Sequence, residues 1–226
     1  MKKILLVGWM MAAVAGMGMA QQRRSVTEKI EWTYCDRPEK PDATLGNVLL
    51  IGDSITRAYY KATAETLAGR ANVYYFATST SVGDQRLAPQ LAEYFRMIGV
   101  SFDVVHFNNG MHGWGYTEDE YRKYFPEFVA AVRLGAPGGR LVWATTTPVR
   151  KDKVDGATNA RIDARNAIAA EVIAKDGIPI DDQHELMMRH QDLHSDDVHF
   201  TTEGSAIEGA QVAASVLKAM PAKAIR

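Results

Sequence analysis

Val48-Leu49-Leu50-Ile51 is an unbroken apolar run that ends abruptly at Gly52-Asp53-Ser54. A run with no polar alternation suits a strand buried on both faces, which is the environment of a parallel sheet. A helical pattern follows through Ala58, Ala62, Glu65 and Leu67. This strand–turn–helix unit recurs along the chain. Strands are expected near Val48–Ile51, Val73–Phe76, Phe102–Phe107, Leu141–Ala144 and Ile178–Ile180. Helices are expected near Arg57–Ala68, Gln85–Ile98, Glu118–Arg133, Asn159–Lys175 and Thr202–Ala219. Regular alternation of the two makes the fold class α/β, with a central, mainly parallel five-stranded sheet covered on both faces as a three-layer α/β/α sandwich.

The 226 residues are 46% hydrophobic and 23% charged, enough for one domain with a sizeable core. A formal net charge of −1 speaks against nucleic acid or an anionic membrane as partner. Met1-Lys2-Lys3, the apolar Ile4 to Ala15 and the small residues of Gly18-Met19-Ala20 have the layout of a signal peptide. Residues 1–20 are therefore expected to be removed before Gln21, leaving a secreted or periplasmic protein with no stable membrane insertion. Residues 21–46 are polar and carry Pro38 and Pro41. They read as a surface strap, pinned by Trp32 and Tyr34 or lending those rings to a binding site, ahead of a domain over 47–226. Cys35 is the single cysteine, so no intrachain disulfide can form.

Ser54 stands where a strand turns into a helix, beside backbone N–H groups that can stabilise an oxyanion. Taken alone, Asp53-Ser54 is better explained as a helix cap. The far end of the chain changes the balance. In Asp196-Asp197-Val198-His199-Phe200 an acid precedes a histidine by three residues, a spacing that lets Asp196 hold the Nδ1–H of His199. Nε2 would then be free to take a proton from Ser54.

An early Gly-Asp-Ser and a late Asp-x-x-His in an α/β chain resemble the GDSL/SGNH hydrolase family. The resemblance runs from about Asn47 to the last helix. It implies a flavodoxin-like arrangement, a catalytic Ser54–His199–Asp196 triad, and no metal or cofactor. It also implies that Gly83, after the second strand, joins the Ser54 backbone as an oxyanion donor. The usual third block is Gly-x-Asn-Asp, but here the third strand ends in His106-Phe107-Asn108-Asn109-Gly110-Met111-His112-Gly113. That is similar to a variant of the superfamily with His-Phe-Asn-x-Gly-Leu-His. Asn108 is the favoured side-chain donor, since an amide donates at every working pH; His112 and Asn109 are the alternatives.

Asp53, Trp114 and Tyr116 are candidate substrate contacts, the two rings by stacking on a sugar. Thr145 to Val149 would shape the rim. His106 reads as a core residue, and His184, His190 and His194 as a polar surface segment rather than a metal site. Arg161, Arg165 and Asn166 read as a solvated helix face. The substrate would be a small-molecule or polysaccharide acyl ester, with carbohydrate deacetylation first and lysophospholipid or thioester hydrolysis second. A sugar-binding module without activity is the reading from another class.

Overall fold

The computed structural model describes residues 25–154 and 156–221, so the expected signal peptide and residues 21–24 lie outside the described residues. Six strands make one sheet: β1 (Thr33–Asp36), β2 (Gly46–Gly52), β3 (Ala71–Thr78), β4 (Val104–Phe107), β5 (Arg140–Ala144) and β6 (Ile180–Asp181). Their spatial order is β1-β3-β2-β4-β5-β6. All neighbours among β2 to β6 pair in parallel, while β1 runs antiparallel on the outer edge of β3. The expected five parallel strands are present, and the sheet has one strand more. Part of the strap supplies it: Thr33 to Asp36 are exposed side chains held to β3 by backbone pairing, so no apolar pattern marks them.

The helices are α1 (Ser54–Thr66), α2 (Leu87–Ile98), α3 (Glu118–Gly135), α4 (Asn159–Lys175), α5 (Gln183–Met188) and α6 (Thr202–Ala219). Alternate residues of β2 divide the core. Leu49 and Ile51 enter the cluster that includes residues of α2, α3 and α4, whereas Val48 and Leu50 enter the one formed with α1 and α6. Both clusters are fully enclosed, so truncating Leu49 or Leu50 to alanine would cost about 2–5 kcal/mol. No helix among the described residues is long and apolar enough to cross a membrane.

This order positions the site. The chain leaves β2 toward β3 on one side and later returns to β4 on the other, so the loops after β2 and β4 face each other across a switch point. In open parallel sheets the crevice beyond the strand ends at such a point is where ligands bind. Ser54 follows β2, and Asn108 to Tyr116 follow β4.

Candidate active site

Asp53 caps α1. Its backbone is extended, and its carboxylate accepts the Ile55 N–H at 3.0 Å and the Met111 N–H at 3.2 Å. The cap places Ser54 in the first turn, where helical N–H groups have no intrahelical acceptor and the dipole favours negative charge. It also ties the loop after β4 to the turn that carries Ser54.

The Ser54 hydroxyl lies 2.8 Å from His199 Nε2, and His199 Nδ1 lies 2.8 Å from Asp196 Oδ2. Asp196 Oδ1 accepts the backbone N–H groups of Val198 and His199, each at 2.7 Å. The acid and the ring are therefore locked on one turn. Behind them the His194–Phe200 bridge closes the loop, and Thr201 caps α6. Burial works against the Asp196 charge, but the two N–H groups and the imidazole outweigh it and hold the carboxyl well below the usual range. Asp197 faces away and meets Arg150 at 3.3 Å. A hydroxyl, an imidazole and a carboxylate in this order can activate the serine as a nucleophile.

Residues 50–207 match the family model of the GDSL-like lipase/acylhydrolase family, which covers both the Ser54 turn and the Asp196–His199 turn.

The chain belongs to the GDSL-like lipase/acylhydrolase family.

Solved structures agree at the level of fold. A lipolytic G-D-S-L family protein from Veillonella parvula superposes with a TM-score of 0.62 at 16% identity, over 77% of this chain and 98% of that one. A putative acylhydrolase from Bacteroides fragilis gives 0.61 at 20% identity, covering 79% and 90%. An acetyl xylan esterase gives 0.58 at 16%, covering 75% and 99%. No curated protein matches the sequence significantly.

Around its GDSL serine the chain departs from several expectations. Asn108 does not offer its amide to the site. Its Nδ2 donates to the Ala144 carbonyl at 2.6 Å and to Thr146 Oγ1 at 3.2 Å, and its oxygen accepts the Gly110 N–H. Asn109 donates to the Thr80 carbonyl and accepts from the Val82 N–H. Both amides knit the ends of neighbouring strands together. His112 differs, because Nδ1 is 2.8 Å from Glu28 Oε1 while the buried Nε2 has no hydrogen-bond partner among the described residues.

The candidate substrate contacts also change role. Asp53 is buried as the cap just described. Tyr116 is buried too: its hydroxyl accepts the Val26 N–H, and its ring packs on Gly83. Gly83 has φ 109°, and a Cβ there would sit 2.9 Å from that ring, so only glycine fits this turn. Trp114 donates its indole N–H to the Met111 carbonyl, and the Arg165 guanidinium covers its ring at 4.2 Å. These rings build the loop rather than a free sugar platform.

Arg165, expected on a solvated face, is 1% exposed. It donates to the carbonyls of His112, Gly113 and Tyr116 at 3.0 Å each, and Arg161 adds bonds to Trp114 and Tyr116. Burial lowers the Arg165 pKa from its ordinary value. His106 is a core residue, as expected, and pairs with buried Asp181 at 2.8 Å. His194 is buried against Phe200 rather than on the surface. No group of three His, Cys, Asp or Glu side chains among the described residues is arranged to hold a metal ion.

Proposed function

We propose that this GDSL-family protein is an exported serine esterase that removes short acyl groups, chiefly acetyl, from carbohydrate. The observation that carries the reading is the continuous Asp196–His199–Ser54 chain, with 2.8 Å at both links to the imidazole. His199 takes the Ser54 proton as Oγ attacks the ester carbonyl. The tetrahedral oxyanion is stabilised by the backbone N–H groups of Ser54 and Gly83. As it collapses, His199 returns the proton to the leaving alcohol, and an acyl-Ser54 ester remains. Water then attacks that ester, giving its proton to His199. The second tetrahedral intermediate breaks its bond to Oγ, His199 returns the proton to Ser54 Oγ, and the acid leaves.

Restriction to short acyl groups is supported by the crowding at the site. Met111 is buried and its N–H is bonded to Asp53, beside the Ser54 turn. The similarity of fold to an acetyl xylan esterase is consistent with a carbohydrate alcohol, as is the exported layout of residues 1–20. The test is hydrolysis of a panel of acyl esters and acetylated glycans with released acid measured directly. Acetate from acetylated glycans at a higher kcat/KM than any longer acyl chain supports the reading. Preference for long acyl chains or thioesters would replace it.

A further inference from the structure

The strap before the sheet places Glu28 and Trp32 on the loop that follows β4. Trp32 is tied to the end of β3, with its N–H on Ser79 Oγ at 2.9 Å and its carbonyl accepting the Ser79 N–H at 3.1 Å. Its ring meets the His112 ring edge-on at a centroid distance of 5.7 Å. Trp32 belongs to the β1 side of the sheet and His112 to the β4 side, with the ends of β3 and β2 between them. Met111, next to His112 in the chain, is bonded to the Asp53 carboxylate, which ties the contact to the turn that carries Ser54.

Within this enclosure the His112 side chain is fixed from several directions. Glu28 accepts from Nδ1 at 2.8 Å, Arg165 holds the His112 carbonyl at 3.0 Å, and Asp53 holds the adjacent Met111 N–H at 3.2 Å. One polar atom of the ring, Nε2, is buried without a partner among the described residues. Asn108 donates its amide to Ala144 and Thr146, and Asn109 donates to the Thr80 carbonyl. A protonated Nε2 left without an acceptor costs free energy in the resting enzyme, and a developing oxyanion would supply that acceptor.

We propose that His112, held as an imidazolium by Glu28 of the N-terminal strap, donates its Nε2–H to the oxyanion in place of the family's asparagine. The inference rests on the serine-esterase reading and makes the strap part of the active site. The surrounding charges favour it. Burial acts to lower the His112 pKa, but the Glu28 hydrogen bond and the charges of Asp53, Glu28 and Glu31 outweigh that and raise it above the ordinary histidine value. Glu28 is correspondingly lowered, with burial again opposing and His112 prevailing. Among the cations around this loop, Arg165 sits on the His112 carbonyl, Arg161 on those of Trp114 and Tyr116, and Arg86 pairs with Glu31 and Asp84. An imidazolium is a stronger donor than an amide, and it is lost when the ring deprotonates.

The consequence is a falling alkaline limb in kcat that belongs to His112. The test is kcat and KM for p-nitrophenyl acetate across pH, with thermal melting of each variant. His112→Ala is expected to lose roughly 10²–10³-fold in kcat with little change in KM. Glu28→Gln removes a carboxylate, so the alkaline limb should move to lower pH. His112→Asn should lose that limb while regaining part of the His112→Ala deficit. A normal kcat in folded His112→Ala, or an unmoved limb in Glu28→Gln, overturns the proposal. If either His112 variant fails to melt cooperatively, the Glu28→Gln limb decides. Ser54→Ala separates the two levels: if it keeps wild-type activity, or the wild type has none, the esterase reading falls and this inference with it. If Ser54→Ala is inactive but the His112 and Glu28 variants behave as wild type, only this inference falls.

Discussion

The Arg165 guanidinium and the His112 backbone oxygen are 3.0 Å apart, so helix α4 sets the position of the loop that follows β4. Two further carbonyls of that loop, those of Gly113 and Tyr116, accept from the same side chain. The Gly113 oxygen also accepts the Tyr116 N–H and the Tyr116 oxygen the Arg161 guanidinium, so it is the His112 carbonyl that depends most on Arg165.

Replacing Arg165 by alanine should therefore destabilise the fold by about 1–3 kcal/mol, the range for leaving a buried acceptor without its charged donor. Lysine should rescue little, since it cannot span three carbonyls with a planar fork. Urea unfolding checks both. A loss below 1 kcal/mol would show that the loop is held by something else.

The role proposed for Asp196 is tested by two neighbours with different contacts. Asp196→Asn removes the carboxylate behind the His199 ring and should lower kcat by up to about 10⁴-fold. Asp197→Asn breaks only an exposed pair with Arg150 and should leave kcat unchanged, at a stability cost of no more than about 1 kcal/mol. Because the Asp196 pKa is depressed, its charge and the orientation it gives are present at neutral pH. They fade only as pH falls through that depressed value. Acid inactivation should thus set in with Asp196 still ionised. Titrating Asp196 by carboxyl-selective NMR checks this. An Asp196 that titrates together with the activity loss would contradict it.

Glu208 supplies a stability prediction of the opposite sign. Its side chain is wholly enclosed and both carboxyl oxygens lack partners among the described residues. Burial, with the charges of Asp53 and Asp181, pushes its pKa well above the model-compound value of 4.5. A raised acid binds its proton more tightly in the folded state, so its contribution is fully present below 4.5 and is lost as pH rises through the folded value. Glu208→Gln should raise the melting temperature at pH 8, and the gain should shrink toward pH 4. A gain that does not depend on pH would show that Glu208 is not titrating.

Export is testable by N-terminal sequencing of the protein recovered outside the cytoplasm. The expected first residue is Gln21, and an intact, membrane-retained Met1 chain would contradict it.

The contrast between what could and could not be read from the residues has physical causes. Helices α4 and α6 run over Asn159–Lys175 and Thr202–Ala219, the spans expected, because apolar spacing and a threonine cap mark each. The meeting of Ser54 with Asp196 and His199 is legible because two of the three sit one turn apart and the third ends an apolar run. Strand β1 is not legible, since its four residues are exposed and are placed by backbone pairing with β3 rather than by an apolar face. Nor is the burial of Arg165, whose acceptors come from a loop distant in sequence. Asn108 misleads for the same reason: the Ala144 carbonyl that claims its amide belongs to the next strand. Short-range pattern reports which element a residue occupies, while its hydrogen-bond partner is decided by tertiary packing.

The most direct measurement of the central claim is mass spectrometry of the enzyme quenched during turnover of an acetyl ester. An acyl-enzyme mechanism predicts one acetyl group on the peptide carrying Ser54, accumulating further in His199→Ala only where water attack becomes the slower step, and absent in Ser54→Ala. An acetyl adduct on another residue, or undiminished ester hydrolysis by Ser54→Ala, would contradict the account.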